Sequence, residues 1–134
     1  FRILGPKRMI IVTDALAAAG STETSFDFAG QPAHIAHGVA RLADGTITGS
    51  VLMMDAALRN VLRMTDATLS QAVGMLSRNP ARAARVADRK GLLRAGYDAD
   101  LLVFDADLNL LATICRGATV FATEAWTARV DAAE

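Results

Sequence analysis

The chain has 134 residues, with 14 basic and 14 acidic side chains and a formal net charge of +0. The length suits one domain able to remove roughly two-thirds of its unfolded surface from water. Without a basic stripe or a Lys/Arg cluster, neither nucleic acid nor a membrane surface is an expected partner, and no apolar run reaches the length of a membrane span or reads as a signal peptide.

Hydrophobic residues make up 52% of the chain, and its mean hydropathy is +0.29. That is high for a small self-contained domain and suits a piece of a larger protein whose apolar faces meet further segments. The single cysteine, Cys115, excludes an internal disulfide framework and fits a reducing, cytoplasmic compartment. Lying between Ile114 and Arg116 with nothing nearby to activate it, Cys115 reads as a buried structural thiol.

Met9-Ile10-Ile11-Val12-Thr13 predicts a strand buried on both faces, as in a parallel sheet. It delivers Asp14 where it ends. In a (β/α)₈ barrel the catalytic groups sit at the C-terminal ends of strands, which makes Asp14 a functional candidate as well as a candidate turn or cap residue. Residues 14–24 are small and polar and predict a loop. From Ser25 to Ile47 the alternation is β-like, broken at Gly30-Gln31-Pro32 and at Gly38, with Asp44-Gly45 as a two-residue hairpin signal.

At Gly49-Ser50 the period changes. Leu52, Met53, Ala56, Ala57, Val61 and Met64 recur at helical spacing. Thr68 predicts the N-cap of a second helix carrying Leu69, Ala72, Val73 and Leu76. Asn79-Pro80 predicts a third short helix to about Val86, with Asn as cap and Pro first. Met53, Met54, Met64 and Met75 read as core gap-fillers. Arg59, opposite the apolar side of its helix, reads as an ion-pair or loop-contacting residue. Strands follow at 101–104, 108–115 and 118–122, the last two joined by Arg116-Gly117; after Glu124 no pattern stands out beyond Trp126. Strands after helices suggest a β-layer separate from the unit that owns Asp14.

His34 and His37, three apart within the β-rich stretch, point to opposite faces of a strand and lack the further ligands a metal would need. Asp98, Asp100 and Asp105 shape turns; no twelve-residue loop with a closing Glu supports calcium. The glycines form no phosphate-cradling pattern.

Four segments together resemble the N-acetylglucosamine-6-phosphate deacetylases. Ile11-Val12-Thr13-Asp14-Ala15 with Ala19-Gly20 is similar to the last barrel strand of that family. Gly45-Thr46-Ile47-Thr48-Gly49-Ser50, Leu52-Met53-Met54 and Ala57-Leu58-Arg59-Asn60-Val61 are similar to its loop-and-helix segment. Asn79-Pro80-Ala81-Arg82 and the run Lys90 to Asp105 resemble the tail of the wider amidohydrolase superfamily.

The resemblance, over roughly residues 8–123, implies an α/β fold: the C-terminal segment of a (β/α)₈ TIM-barrel metallo-hydrolase plus strands of an accessory β-sandwich. It implies barrel over 1–90 (with a β-hairpin excursion at about 25–48), sandwich strands over 91–123 and a tail over 124–134. It also implies a divalent metal, zinc or iron, and an amino-sugar phosphate substrate. Asp14 would take a proton from the attacking water and return it to the leaving amine. Ile47, Thr48 and Gly49 match a loop that lies against the sugar. The family's metal ligands, a Glu and two His, match no segment here, so the chain is expected to be an inactive fragment of a homodimeric enzyme. The alternatives are another amidohydrolase (dipeptidase, cyclic-amide hydrolase or deaminase) and a non-catalytic folded module.

Overall fold

The computed structural model describes residues 1–132. Chain order is β1 (Ser25–Phe28), β2 (Gln31–Ala36), β3 (Val39–Arg41), β4 (Ile47–Ser50), α1 (Met54–Met64), α2 (Leu69–Leu76), α3 (Arg78–Ala83), β5 (Leu101–Phe104), β6 (Leu110–Cys115), β7 (Ala118–Ala122) and α4 (Glu124–Asp131). The first four strands form an antiparallel meander, and β5-β6-β7 form a second antiparallel sheet. Among the described residues no helix is long and apolar enough to cross a membrane.

Two-residue turns set the registers. Phe28 pairs with Gln31, Ala36 with Val39 and Cys115 with Ala118. The intervening Ala29-Gly30, His37-Gly38 and Arg116-Gly117 all have positive φ, between 50° and 82°. That is the type I′ geometry, whose twist matches the strands it joins. Gln31-Pro32, expected as a break, therefore opens β2. Pro32 is tolerated because β3 pairs with β2 only from His34 onward, so no neighbour on that side needs the missing N–H. Asp44-Gly45 does not form the expected two-residue turn. The Leu42 N–H donates to the Thr46 carbonyl (3.0 Å) around a three-residue loop in which only Gly45 has positive φ.

The helices pack on a cluster of Leu58, Ala72 and Met75, to which Met9, Ile11, Val61 and Phe104 add their side chains. Met75 is the one expected core methionine that is buried; Met53, Met54 and Met64 are 51%, 42% and 70% exposed. They lie on the outer side of α1 or at its ends, where spacing alone does not reveal the sign of the face. Thr68 caps α2 in a full capping box with Gln71. Among the described residues α4 buries none of its side chains, which is why no apolar stripe announced it. Thr123 caps it, accepting the Trp126 N–H, and its last residues before Ala133 complete what was expected to be a patternless tail; Ala133 and Glu134 lie outside the described residues.

The run Met9–Thr13 departs most from expectation. It is extended but joins no ladder, and only Ala15 makes a bridge. Met9 and Ile11 face the helix cluster, whereas Ile10 and Val12 are 41% and 70% exposed. Among the described residues no strand lies alongside to cover the other face. Asn79 takes over part of the anchoring. Rather than capping α3, which begins one residue earlier without a side-chain cap, its buried amide donates to the Pro6 and Met9 carbonyls (2.8 and 2.6 Å). The Ile11 N–H donates to the Met75 carbonyl (3.1 Å). Cys115, at the open end of β6 beside the turn, is exposed rather than buried.

Arg59 ties the helices to the second sheet, as an ion pair and a loop contact together. Its guanidinium bonds Asp55 (2.8 Å) one turn back and the Leu108 carbonyl (2.7 Å) in the β5–β6 loop. Asp105 holds that loop by accepting the Asp107 and Asn109 N–H groups.

Replacing Asn79 by Ala should lower stability by about 1–3 kcal/mol, because two carbonyls lose their donor. Urea denaturation checks this; an unchanged midpoint would show that solvent satisfies both carbonyls.

Candidate active site

Asp14 ends the extended run in the left-handed region, at φ 51°. Asp reaches that region more readily than most residues, yet the conformation persists only where the surroundings hold it. Here the end of β4 holds it. The Ser50 N–H donates to the Asp14 carbonyl (3.0 Å), and the Leu16 N–H donates to the Ser50 carbonyl (2.9 Å). These bonds form the parallel bridge between Ala15 and Ser50. The Ser50 hydroxyl donates to the Thr13 carbonyl (2.5 Å) and accepts the Leu52 N–H (3.1 Å). Asp14 is exposed, and among the described residues its carboxylate makes no ion pair or hydrogen bond.

The expected site residues of β4 meet this turn from the other side. Gly49 is buried at φ 146°, a region L side chains rarely adopt. A Cβ there would lie 2.8 Å from Leu16 Cγ and 3.1 Å from the Asp14 carbonyl oxygen. The missing side chain is thus what lets Leu16 and the Asp14 backbone seat against the strand. Thr48 Oγ1 donates to the Ala40 carbonyl across the ladder (3.3 Å), and Ile47 is 58% exposed. Asp14 and the Gly49-Ser50 strand end are therefore brought together, with Ile47 and Thr48 continuing that strand away from them.

Ser50 was not singled out as a site residue by the sequence, where Gly49-Ser50 marked a change of period and closed a segment resembling the deacetylase family. A small polar residue beside a glycine at a strand end is the one signal it offers, and it is weak. Its partner at Thr13 is 37 residues away.

Among the described residues no group of three His, Cys, Asp or Glu side chains could hold a metal ion. His34 and His37 are exposed on β2 and at its turn. Asp98 and Asp100 are instead clasped by cations. Asp98 Oδ2 lies 2.9 Å from Lys90 Nζ and 3.1 Å from Arg89 Nη1. Asp100 pairs with Lys90 and accepts the Arg116 N–H (2.9 Å). The Lys90 hydrogen bond holds both carboxyls below their ordinary range, and the two carboxylates, Asp100 first, raise the Lys90 ammonium above its own.

Residues 7–126 match the model of the Amidohydrolase family. The chain is 38% identical over 117 residues to the N-acetylglucosamine-6-phosphate deacetylase of Lysinibacillus sphaericus, covering 87% of this chain and 30% of that protein. It is 35% identical over 104 residues to the N-acetylgalactosamine-6-phosphate deacetylase of Escherichia coli O157:H7, covering 78% of this chain and 28% of that protein. Among solved structures it is similar to a mutant N-acetyl-D-glucosamine-6-phosphate deacetylase of Mycobacterium smegmatis in complex with N-acetyl-D-glucosamine-6-phosphate. That likeness has a TM-score of 0.81 and 33% identity, over 90% of this chain and 32% of the other. The chain thus spans about 30% of the length of the first of these relatives.

Gly49→Ala should cost about 1–3 kcal/mol through its backbone conformation and the Leu16 contact. Adding Leu16→Ala should recover only part of this, since the φ strain stays; urea midpoints of the two variants decide, and a Gly49→Ala protein as stable as the parent would refute the close approach. The Lys90 clasp has its own pH signature. The lowered carboxyls contribute stability above their unfolded value near ~3.9 and lose it as pH falls through their folded values. The raised ammonium contributes below its unfolded value near ~10.4 and loses it as pH rises through its folded value. The midpoint difference between the parent and Lys90→Met should therefore be level around neutrality and shrink toward both extremes. A difference that is constant across the whole range would contradict the clasp.

Proposed function

Because this chain belongs to the amidohydrolase family, we propose that it supplies the proton-transferring carboxylate of a deacetylase. The complete protein hydrolyses N-acetylglucosamine 6-phosphate to glucosamine 6-phosphate and acetate. The observation that carries this reading is Asp14: an aspartate in the left-handed region, its backbone tied to β4 and its carboxylate exposed. A side chain so held is a ready acceptor and donor of one proton. As water attacks the acetamide carbonyl, Asp14 takes its proton. The C–N bond then breaks, and Asp14 delivers that proton to the departing nitrogen. Acetic acid and the free amine are the products; the acid gives its remaining proton to the amine or to solvent and leaves as acetate, and the Asp14 carboxylate is regenerated. Ile47, Thr48 and Gly49 present backbone to the sugar, and Gly49 lets the chain come close.

In this reading residues 9–13 are the last strand of a (β/α)₈ barrel, delivering Asp14 at its end, with the meander β1–β4 as an excursion from residues 1–90. Residues 91–123, with β5–β7, belong to a small β-sandwich. The residues described do not by themselves fit a divalent metal. The zinc or iron of the complete enzyme, which would activate the attacking water, is held by residues outside this chain, and the isolated chain is inactive. A second reading keeps the reaction and changes the sugar to N-acetylgalactosamine 6-phosphate, the substrate named in the Escherichia coli relative.

Asp14→Asn in the complete protein should lower kcat by at least ~100-fold, since a general acid–base residue supplies that much or more, with metal content nearly unchanged. Turnover close to the parent's would remove Asp14 from this role. Assaying both amino-sugar phosphates side by side separates the two readings.

A further inference from the structure

We infer that Ser50 is a positioning residue for Asp14, an inference that rests on the proton-transfer role proposed above. Any residue but proline at position 50 would offer its backbone N–H to Asp14 and its carbonyl to Leu16. Only a hydroxyl adds the third anchor, the bond to the Thr13 carbonyl. That carbonyl belongs to the peptide joining Thr13 to Asp14, so holding it fixes the plane about which the Asp14 φ of 51° is defined. The Ser50 carbonyl and N–H restrain the chain after that plane, and the hydroxyl restrains it before. Released at Thr13, the peptide is free to tilt, and the Asp14 carboxylate swings with it.

The hydroxyl is itself oriented. Its oxygen accepts the Leu52 N–H (3.1 Å), while its proton is committed to Thr13. With both roles occupied and no base beside it among the described residues, it is not an activated nucleophile. Its chemistry is to hold a backbone.

The test uses the complete protein with Ser50→Ala and Ser50→Thr, each alone and in an Asp14→Asn background. Misplacing a reacting group by about 1 Å costs on the order of 100-fold in rate, so Ser50→Ala should lower kcat by about 10- to 100-fold with KM little changed. Ser50→Thr, which keeps the hydroxyl, should recover most of that loss. In the Asp14→Asn background Ser50→Ala should cost nothing further, because there is no carboxylate left to aim. A parental kcat in Ser50→Ala, or the same proportional loss with and without Asp14, would overturn the inference. If Ser50→Ala does not fold, Ser50→Cys keeps the volume with a weaker donor, and an undiminished kcat in that variant would overturn it equally. Failure of the underlying reading is told apart by Asp14→Asn alone, which is measured with Ser50 intact.

Discussion

Three hydrogen bonds made by one serine join two parts of the chain, the longest-range of them spanning 37 residues, and the candidate site depends on them. Ser50 reaches Thr13, Asp14, Leu16 and Leu52. It therefore couples the end of the extended run to the end of β4 and to the entry of α1. Gly49 makes the approach possible, since any Cβ there would collide with Leu16. Without this joint the left-handed Asp14 would be an exposed residue in a costly conformation with nothing to hold it.

The joint is supported from behind. The extended run is pinned at its start by Asn79 and at its middle by the Met75 carbonyl, with Met9 and Ile11 in the helix cluster. Arg59 and Phe104 then connect those helices to the second sheet. A line of contacts thus runs from β5–β7 through α1–α3 to Asp14. The opposite face of the run, with Ile10 and Val12, is exposed. This agrees with a chain spanning about 30% of the length of the Lysinibacillus sphaericus relative, in which further segments would meet apolar surface.

What could be read from the sequence was whatever local chemistry specifies. The period change after Gly49 located α1, Thr68 marked the α2 cap, and Leu101–Phe104 and Ala118–Ala122 were continuous enough to read as strands. Arg116-Gly117 was read as a turn, yet Ala29-Gly30 and His37-Gly38 use the same geometry and were read only as breaks. Ala and His are not the residues that usually announce a type I′ turn, and the following glycine carries the signal alone. What could not be read was sidedness. The methionines, Cys115 and the two faces of the Ile10–Val12 run all depend on which neighbour covers them, which periodicity does not contain. Asn79 and Ser50 were illegible for a related reason: each acts on backbone far away in the chain, and each stood beside a residue, Pro80 or Gly49, that suggested a local role.

Native-state hydrogen exchange at the Leu16 and Ser50 amides tests the account most directly. If the Asp14 turn is part of the β4 structure, both amides are protected to the same degree as the β3–β4 ladder and open together with it. Exchange of Leu16 and Ser50 at the rate of an open loop, with the ladder still protected, would contradict it: Asp14 would then be carried on a loose segment rather than held against β4.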